Sequence, residues 1–232
     1  MTQKQLEDYL WGAANILRGM IDAADFKQYI FPLLFFKRVS DIWDEEYEDA
    51  LQLSDGDIDY AKFRENHRFQ IPDGCHWKDV RVTSTDIGKK LQTSLHEIEK
   101  ANFELLHDVF GDAQWTNKRR LSDEKLIDLI EHFSEMDLTV KNVPHDLMGD
   151  GYEYLISKFA DDAGHTAAEF YTNRTVVELM TRITNVQPGE SVYDPTCGSG
   201  GILLNSALYL KKQGKEYRNL KLYGQELNLI TS

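Results

Sequence analysis

Cysteine and proline are scarce in this chain: 232 residues hold 2 Cys and 5 Pro. Cys75 and Cys197 stand far apart with no metal-ligand spacing around either, which excludes a disulfide framework and a zinc site and points to a reducing compartment. Positive charge is also short. With 26 Lys and Arg against 39 Asp and Glu, the net charge is −13, the wrong balance for a chain that grips a phosphate backbone unaided. No run of eighteen apolar residues occurs, and no basic stretch leads into an apolar one at the N-terminus; the expectation is a soluble, cytoplasmic protein without a membrane partner. Low-complexity tracts and internal repeats are missing as well.

What remains is globular composition, with 41% hydrophobic residues, 11 Phe and 11 Tyr, on a length that suits two modest domains. The charge divides unevenly. Residues 1–146 carry 18 basic and 29 acidic side chains, a net of −11, whereas residues 147–232 carry 8 and 10. Nine acids and no base lie between Asp41 and Asp59; blocks of like charge are usually solvated, so a solvated helix end is expected here rather than a docking patch.

Periodicity organises the first part. Leu6, Tyr9, Leu10, Ala13, Ile16, Leu17 and Met20 recur at three and four, on one helical face. Asp25 is placed to cap a second helix with an aromatic stripe of Phe26, Tyr29, Leu33, Phe36 and Trp43, read as core, and Pro32 is expected early in that helix or at a kink. Ile71-Pro72-Asp73-Gly74 is a turn, and the stretch holding Trp77, Val80 and Val82 is left unassigned. Helical spacing returns through Ile87, Leu91, Leu95, Ile98 and Leu105, with Gly111 as a stop, and Ser122 caps a further helix of Leu126, Leu129, Ile130 and Phe133. No catalytic constellation stands out before residue 140.

A different pattern begins at Asp146. A helix to about Ala160 is followed by the polar loop Asp161–Thr166, then by a helix with Thr172 as its cap and Val176, Val177, Leu179, Met180 and Ile183 along it. Next come a turn at Gln187–Glu190, a strand at Ser191–Asp194, a glycine-rich turn, a buried helix ending near Gly214, and a strand at Asn219–Gly224. Strand, glycine-rich turn, helix and strand in that order open a doubly wound α/β sheet.

The turn Asp194-Pro195-Thr196-Cys197-Gly198-Ser199-Gly200-Gly201 narrows the chemistry. Residues without Cβ let backbone approach a ligand, and the following helix offers unpaired N–H donors. A dinucleotide fingerprint starting at Gly198 would need glycine at 203, where Leu203 stands; a phosphate-cradling loop would need Gly-Lys-Ser/Thr; a nucleophile elbow would need glycine in place of Cys197. An acid at the strand end followed by small residues suits a cofactor with an amino-acid moiety, whose ammonium a carboxylate can meet. Glu226, just past the second strand, sits where an acid meets ribose hydroxyls in such folds.

Together with Glu169-Phe170-Tyr171-Thr172, Tyr223-Gly224-Gln225-Glu226 and Gly149-Asp150-Gly151-Tyr152-Glu153-Tyr154-Leu155, that turn resembles the methylation subunit of type I restriction-modification systems, over essentially the whole chain. The resemblance implies a helical N-terminal domain (1–145) followed by the start of a doubly wound S-adenosylmethionine-dependent methyltransferase sheet (146–232), the cofactor-binding half of an N6-adenine DNA methyltransferase. It implies methyl transfer to N6 of a flipped adenine. Carried over by position, Glu169, Phe170, Tyr171, Thr172, Asn173 and Arg174 line the methionine end of S-adenosylmethionine, Asp194, Gly198, Ser199, Gly200 and Gly201 hold its amino-acid portion, and Glu226 its ribose.

The partners implied are a specificity subunit, a second methylation subunit, a restriction subunit in some systems, and DNA through the assembled complex. No metal is implied. Two departures stand out. Asn173 replaces the family's usual proline, and the family's catalytic Asn-Pro-Pro-Phe/Tyr segment is not among the 232 residues, the last of which, Leu227–Ser232, follow directly on the second strand. The expectation is therefore a truncated subunit with no catalytic residue of its own, unable to methylate unaided. The alternative is a non-catalytic interaction module that binds specificity or other methylation subunits and carries a vestigial cofactor fold. A complete small-molecule methyltransferase is disfavoured by the short α/β region.

Overall fold

A computed structural model describes residues 1–22, 25–162, 172, 174–198 and 200–227. The chain divides by packing into residues 1–164 and 165–232, and each unit is described by itself.

The first unit is helical. Thr2 opens α1 (Gln3–Leu17) with a reciprocal cap: its hydroxyl accepts from the Gln5 N–H, and the Gln5 side chain accepts from the Thr2 N–H, which satisfies two donors that a helix start leaves orphaned. Leu6, Tyr9, Leu10, Ala13, Ala14 and Leu17 are buried, while Met20 lies past the helix end and is exposed. Asp25 precedes α2 (Phe26–Leu53) but makes no capping bond; its carboxylate is drawn to Arg120 and to the Gln28 amide instead. Pro32 is the seventh residue of α2, and the helix runs on past it to Leu53. The expected aromatic stripe is core: Phe26, Tyr29, Leu33 and Phe36 are buried, and Trp43 packs partly buried between Tyr47 and His67.

Short helices α3 (Ile58–Ala61) and α4 (Trp77–Arg81) follow. In α4, Trp77 and Val80 turn inward while Val82 stays in solvent, a split too brief to register as periodicity. Then come α5 (Ile87–Ala101), α6 (Phe103–Leu106) and α7 (Asp123–Ser134). Ser122 caps α7 by accepting from the Lys125 N–H. Leu105, expected on the α5 face, lies instead in α6 and is exposed, with Leu106 buried in its place.

Helix α8 (His145–Asp162) packs against α1 and α2 and so belongs with the first unit. Its motif glycine explains the fit: a Cβ on Gly151 would lie 2.8 Å from Leu10 Cδ1 and 2.9 Å from Leu6 Cδ2. Tyr152 stacks on Phe31 at 5.4 Å, and Phe159 meets Phe26 and Phe31 edge-on.

The acidic run of α2 departs from the expected solvated helix end. The Asp41 carboxylate pairs with Lys37 and accepts from the Leu138 N–H, and Glu45 accepts from Val140 at 2.8 Å and Lys141 at 3.2 Å. Glu46 accepts from Arg68 at 3.0 Å, and Asp49 pairs with the Lys141 ammonium at 2.7 Å. Arg38, buried beside them, donates to the carbonyls of Leu138 and Thr139. These acids clip two loops that reach α2 from far along the chain. Burial pushes the Asp41 carboxyl up, partly offset by Lys37. Asp49 stays exposed in its pair with Lys141, and Glu48, Asp55 and Asp59 of the same run are solvated.

The second unit contains α9 (Arg174–Thr184), β1 (Ser191–Asp194), α10 (Gly201–Lys212) and β2 (Lys221–Gly224). The strands are parallel, with Ser191 opposite Lys221 and Asp194 opposite Gly224, as a strand–helix–strand crossover requires. Helix α10 is less buried than expected: Ser206 and Leu210 are enclosed, but Leu204 is 61% exposed. On α9, Val177 and Thr181 are buried, whereas Val176, Leu179, Met180 and Ile183 form an exposed stripe. No helix among the described residues is long and apolar enough to cross a membrane.

Candidate functional site

The parallel register ends β1 and β2 level, so the two loops that follow leave the same edge of the sheet side by side. In α/β folds this carboxyl edge is where ligands bind. Asp194, the last residue of β1, is buried, and its carboxylate accepts from the Thr196 N–H at 3.0 Å. This short local bond starts the turn. Gly198 and Gly200 have φ of 52° and 80°, the left-handed region where a side chain costs free energy, so glycine is what lets the chain reverse here. Gly200 also directly precedes α10 and accepts the first helical bond, from the Leu204 N–H.

The second loop is bonded to the first. Gln225 donates to the Asp194 carbonyl and Cys197 donates to the Gln225 carbonyl, both at 2.9 Å, so strand-like pairing continues past β1 and β2. Then Glu226 accepts from the Gly198 N–H at 2.8 Å through Oε2. Tyr193 adds a side-chain tie, its hydroxyl donating to Gln225 Oε1 at 2.7 Å. Of the residues expected at the site, Asp194, Gly198, Gly200, Gly201 and Glu226 are brought together. Glu169, Phe170, Tyr171, Asn173 and Ser199 lie outside the described residues. Thr172 is exposed; α9 starts at Arg174, so the residue in its capping place is Asn173, outside the described residues.

Sequence reasoning missed the ties made by Tyr193, Thr196 and Gln225. No pattern in the sequence marks these ties, because they depend on the register in which β1 and β2 pair.

Elsewhere, a cleft of about 300 Å³ on the first unit is lined by Glu45, Glu46, Asp49, Arg68 and Lys141. Its carboxylates are committed to the loop contacts described above, so it offers no free acceptor set. Among the described residues no three His, Cys, Asp or Glu side chains are placed to hold a metal.

Comparison with known proteins decides the family. The family described as HsdM N-terminal domain matches residues 6–133, and the N-6 DNA Methylase family matches residues 143–232. The chain belongs to the methylation subunits of type I restriction-modification systems.

Among curated relatives of this family, the type I restriction enzyme MpnII methylase subunit of Mycoplasma pneumoniae is 28% identical over 97% of this chain and 48% of its own length. The MjaIX methylase subunit of Methanocaldococcus jannaschii is 27% identical over 96% of this chain and 42% of its own. The chain thus spans about half the length of the curated relatives it matches, or less. A solved type I methyltransferase subunit from Streptococcus thermophilus superposes with a TM-score of 0.74 at 27% identity, over 99% of this chain and 54% of that one. The fold is that of the family, a helical N-terminal domain with the start of a methyltransferase sheet.

Proposed function

We propose that residues 146–232 form the S-adenosylmethionine-holding half of an N6-adenine DNA methyltransferase, with residues 1–145 as the helical domain before it. The division at 145/146 is functional; by packing, α8 goes with the first unit. The observation that carries the proposal is the hydrogen-bonded joining of the turn Asp194–Gly201 to Gln225 and Glu226 at the carboxyl edge of a parallel pair.

The residues present fit the cofactor. A Cβ built on Gly200 or Gly201 would meet nothing within 4 Å, so open space lies over the part of the turn where backbone must approach a ligand. Bound there, S-adenosylmethionine supplies an electrophilic methyl group on a sulfonium. The chain's own residues orient it. The first N–H groups of α10 are unpaired within the helix and suit the cofactor carboxylate. Asp194 holds the turn through Thr196 and sets the charge that meets the cofactor ammonium. Glu226, fixed by Gly198, presents a carboxylate to the ribose hydroxyls; two oxygens can accept from more than one donor. By the family resemblance, Glu169–Arg174 would serve the methionine end.

The reaction served is methyl transfer to N6 of an adenine flipped from DNA. The DNA is reached in an assembly with a specificity subunit, a second methylation subunit and, in some systems, a restriction subunit. These 232 residues lack the Asn-Pro-Pro-Phe/Tyr segment that would seat the adenine, so by themselves they bind the cofactor weakly and do not methylate. Titration calorimetry with S-adenosylmethionine tests this. A dissociation constant above about 1 μM is expected, weakened at least tenfold in Glu226→Ala. Absence of binding at millimolar cofactor overturns the cofactor reading, and sub-micromolar binding overturns the claim of an incomplete pocket.

A second reading, a partner-binding module, is favoured by the hairpin joining α2 and α3. Leu53 at the end of α2 and Ile58 at the start of α3 are 82% and 56% exposed, among the solvated acids of the run, and Phe63 just past α3 is 54% exposed. Co-purification with a specificity subunit, lost in Leu53→Glu, supports it; equal recovery of parent and variant sinks it.

A further inference from the structure

We propose that Cys197 and Gly224 form a steric lock that sets the spacing between the two cofactor-facing segments; this rests on the cofactor reading above. Gly224 is the last residue of β2, opposite Asp194. Its backbone φ is not in the positive range, so conformation is no reason for a glycine there. Space is. A Cβ at Gly224 would lie 2.7 Å from Cys197 Sγ, 3.1 Å from Cys197 Cβ and 3.1 Å from Leu203 Cδ1. The thiol of the turn fills the room that the missing side chain leaves, and Leu203 on the first turn of α10 closes the third side.

The contact lies among the hydrogen bonds that build the site. One residue after Gly224, Gln225 donates to Asp194 and accepts from Cys197; two residues after it, Glu226 accepts from Gly198. Cys197 therefore touches β2 with its side chain and the loop beyond with its backbone. An atom added at 224 pushes the turn outward chiefly through the Cys197 sulfur at 2.7 Å, which is one bond from the turn's Cβ, whereas the contacts at 3.1 Å ask the Cys197 Cβ and Leu203 to give by only a few tenths of an ångström. Outward movement stretches both the Cys197–Gln225 bond and the Gly198–Glu226 bond. Gly224 and Cys197 are thus positioning residues: they touch each other and act on the cofactor through Glu226 and the turn.

The test uses the 232-residue chain and S-adenosylmethionine in equilibrium dialysis. Gly224→Ala should weaken binding at least tenfold with helix content by circular dichroism unchanged. Adding Cys197→Ala to it removes the closest clash, and the double variant should bind within about threefold of Cys197→Ala alone. A structural role unconnected with this pair would give no such rescue. Unchanged binding in Gly224→Ala, or a loss that Cys197→Ala does not relieve, overturns the lock.

A second readout is independent of the cofactor. Cys75 is buried, so a chromogenic disulfide reagent reports Cys197 in the native chain, and Gly224→Ala should speed its reaction at least fivefold by expelling the sulfur from its seat. Should the parent chain bind no S-adenosylmethionine, the cofactor reading falls, and the thiol rate alone decides the lock: a faster rate upholds it and an unchanged one overturns it.

Discussion

The two units spend their apolar residues differently. In residues 1–164, aromatic and aliphatic side chains from α1, α2, α5, α7 and α8 meet in one continuous core, and large groups such as Tyr29, Phe36 and Phe133 are fully enclosed. Among the described residues of the second unit, Val177, Val186 and Leu210 are the buried apolar ones, whereas Leu179, Ile183, Leu204, Leu222 and Tyr223 face solvent. Both units contain equally regular helices. What separates them is that α1 has neighbours on the side its apolar face presents, while α9, which packs on α10, buries Val177 and Thr181 and leaves its longer stripe uncovered. The two units are thus different kinds of structure: the first an enclosed helical core, the second a small parallel pair joined by hydrogen bonds past its carboxyl edge.

The comparison can be broken most directly by deletion of equal side chains in the two units. Leu33→Ala, in the enclosed core, should cost about 3 kcal/mol, whereas Leu204→Ala on α10 should change stability by less than about 0.5 kcal/mol. Urea denaturation of both variants measures it. Similar losses would mean that the exposed face of α10 is covered in solution and that the contrast between the units is not real.

A smaller effect sharpens the account of the acidic helix. Glu45→Ala leaves the N–H groups of Val140 and Lys141 without their acceptor and should cost about 1–2 kcal/mol, while Glu48→Ala, on a solvated acid of the same helix, should be nearly silent. If both are silent, the run is a solvated helix end after all, as its composition suggests.

The smallest effect concerns pH and the first unit alone. Burial holds the His76 imidazole below its usual range; Lys78 and His67 add to this, and Asp79 and Asp73 oppose it. The folded chain therefore resists a proton that the unfolded chain takes up, and this contribution to stability is lost as pH falls below about 6.5. The urea midpoint should drop between pH 7.5 and 5.5 by more in the parent than in His76→Gln. Equal drops would remove His76 as a cause.

Much of this was legible in advance. The spacing of Leu6, Leu10, Ala13 and Leu17 specified α1 and its buried face, because those contacts repeat every turn, and the strand Ser191–Asp194 was bounded by its own turn residues. The role of Glu45 was not legible: its partners, Val140 and Lys141, are some 95 residues away, and nothing local distinguishes it from Glu48. The same holds for Asp25, which sits at a capping place yet is held by Arg120.

The glycine-rich turn behaves in both ways. Its left-handed glycines and its acid at a strand end are local requirements of backbone geometry, so the residues alone determined that a tight glycine-rich turn stands at 194–201. Its partners were decided only when β1 and β2 paired in register. That pairing set Gly224 under the Cys197 thiol and brought Glu226 to the Gly198 N–H. Such contacts depend on the distance between two segments nearly thirty residues apart, and no pattern along a single segment encodes that distance.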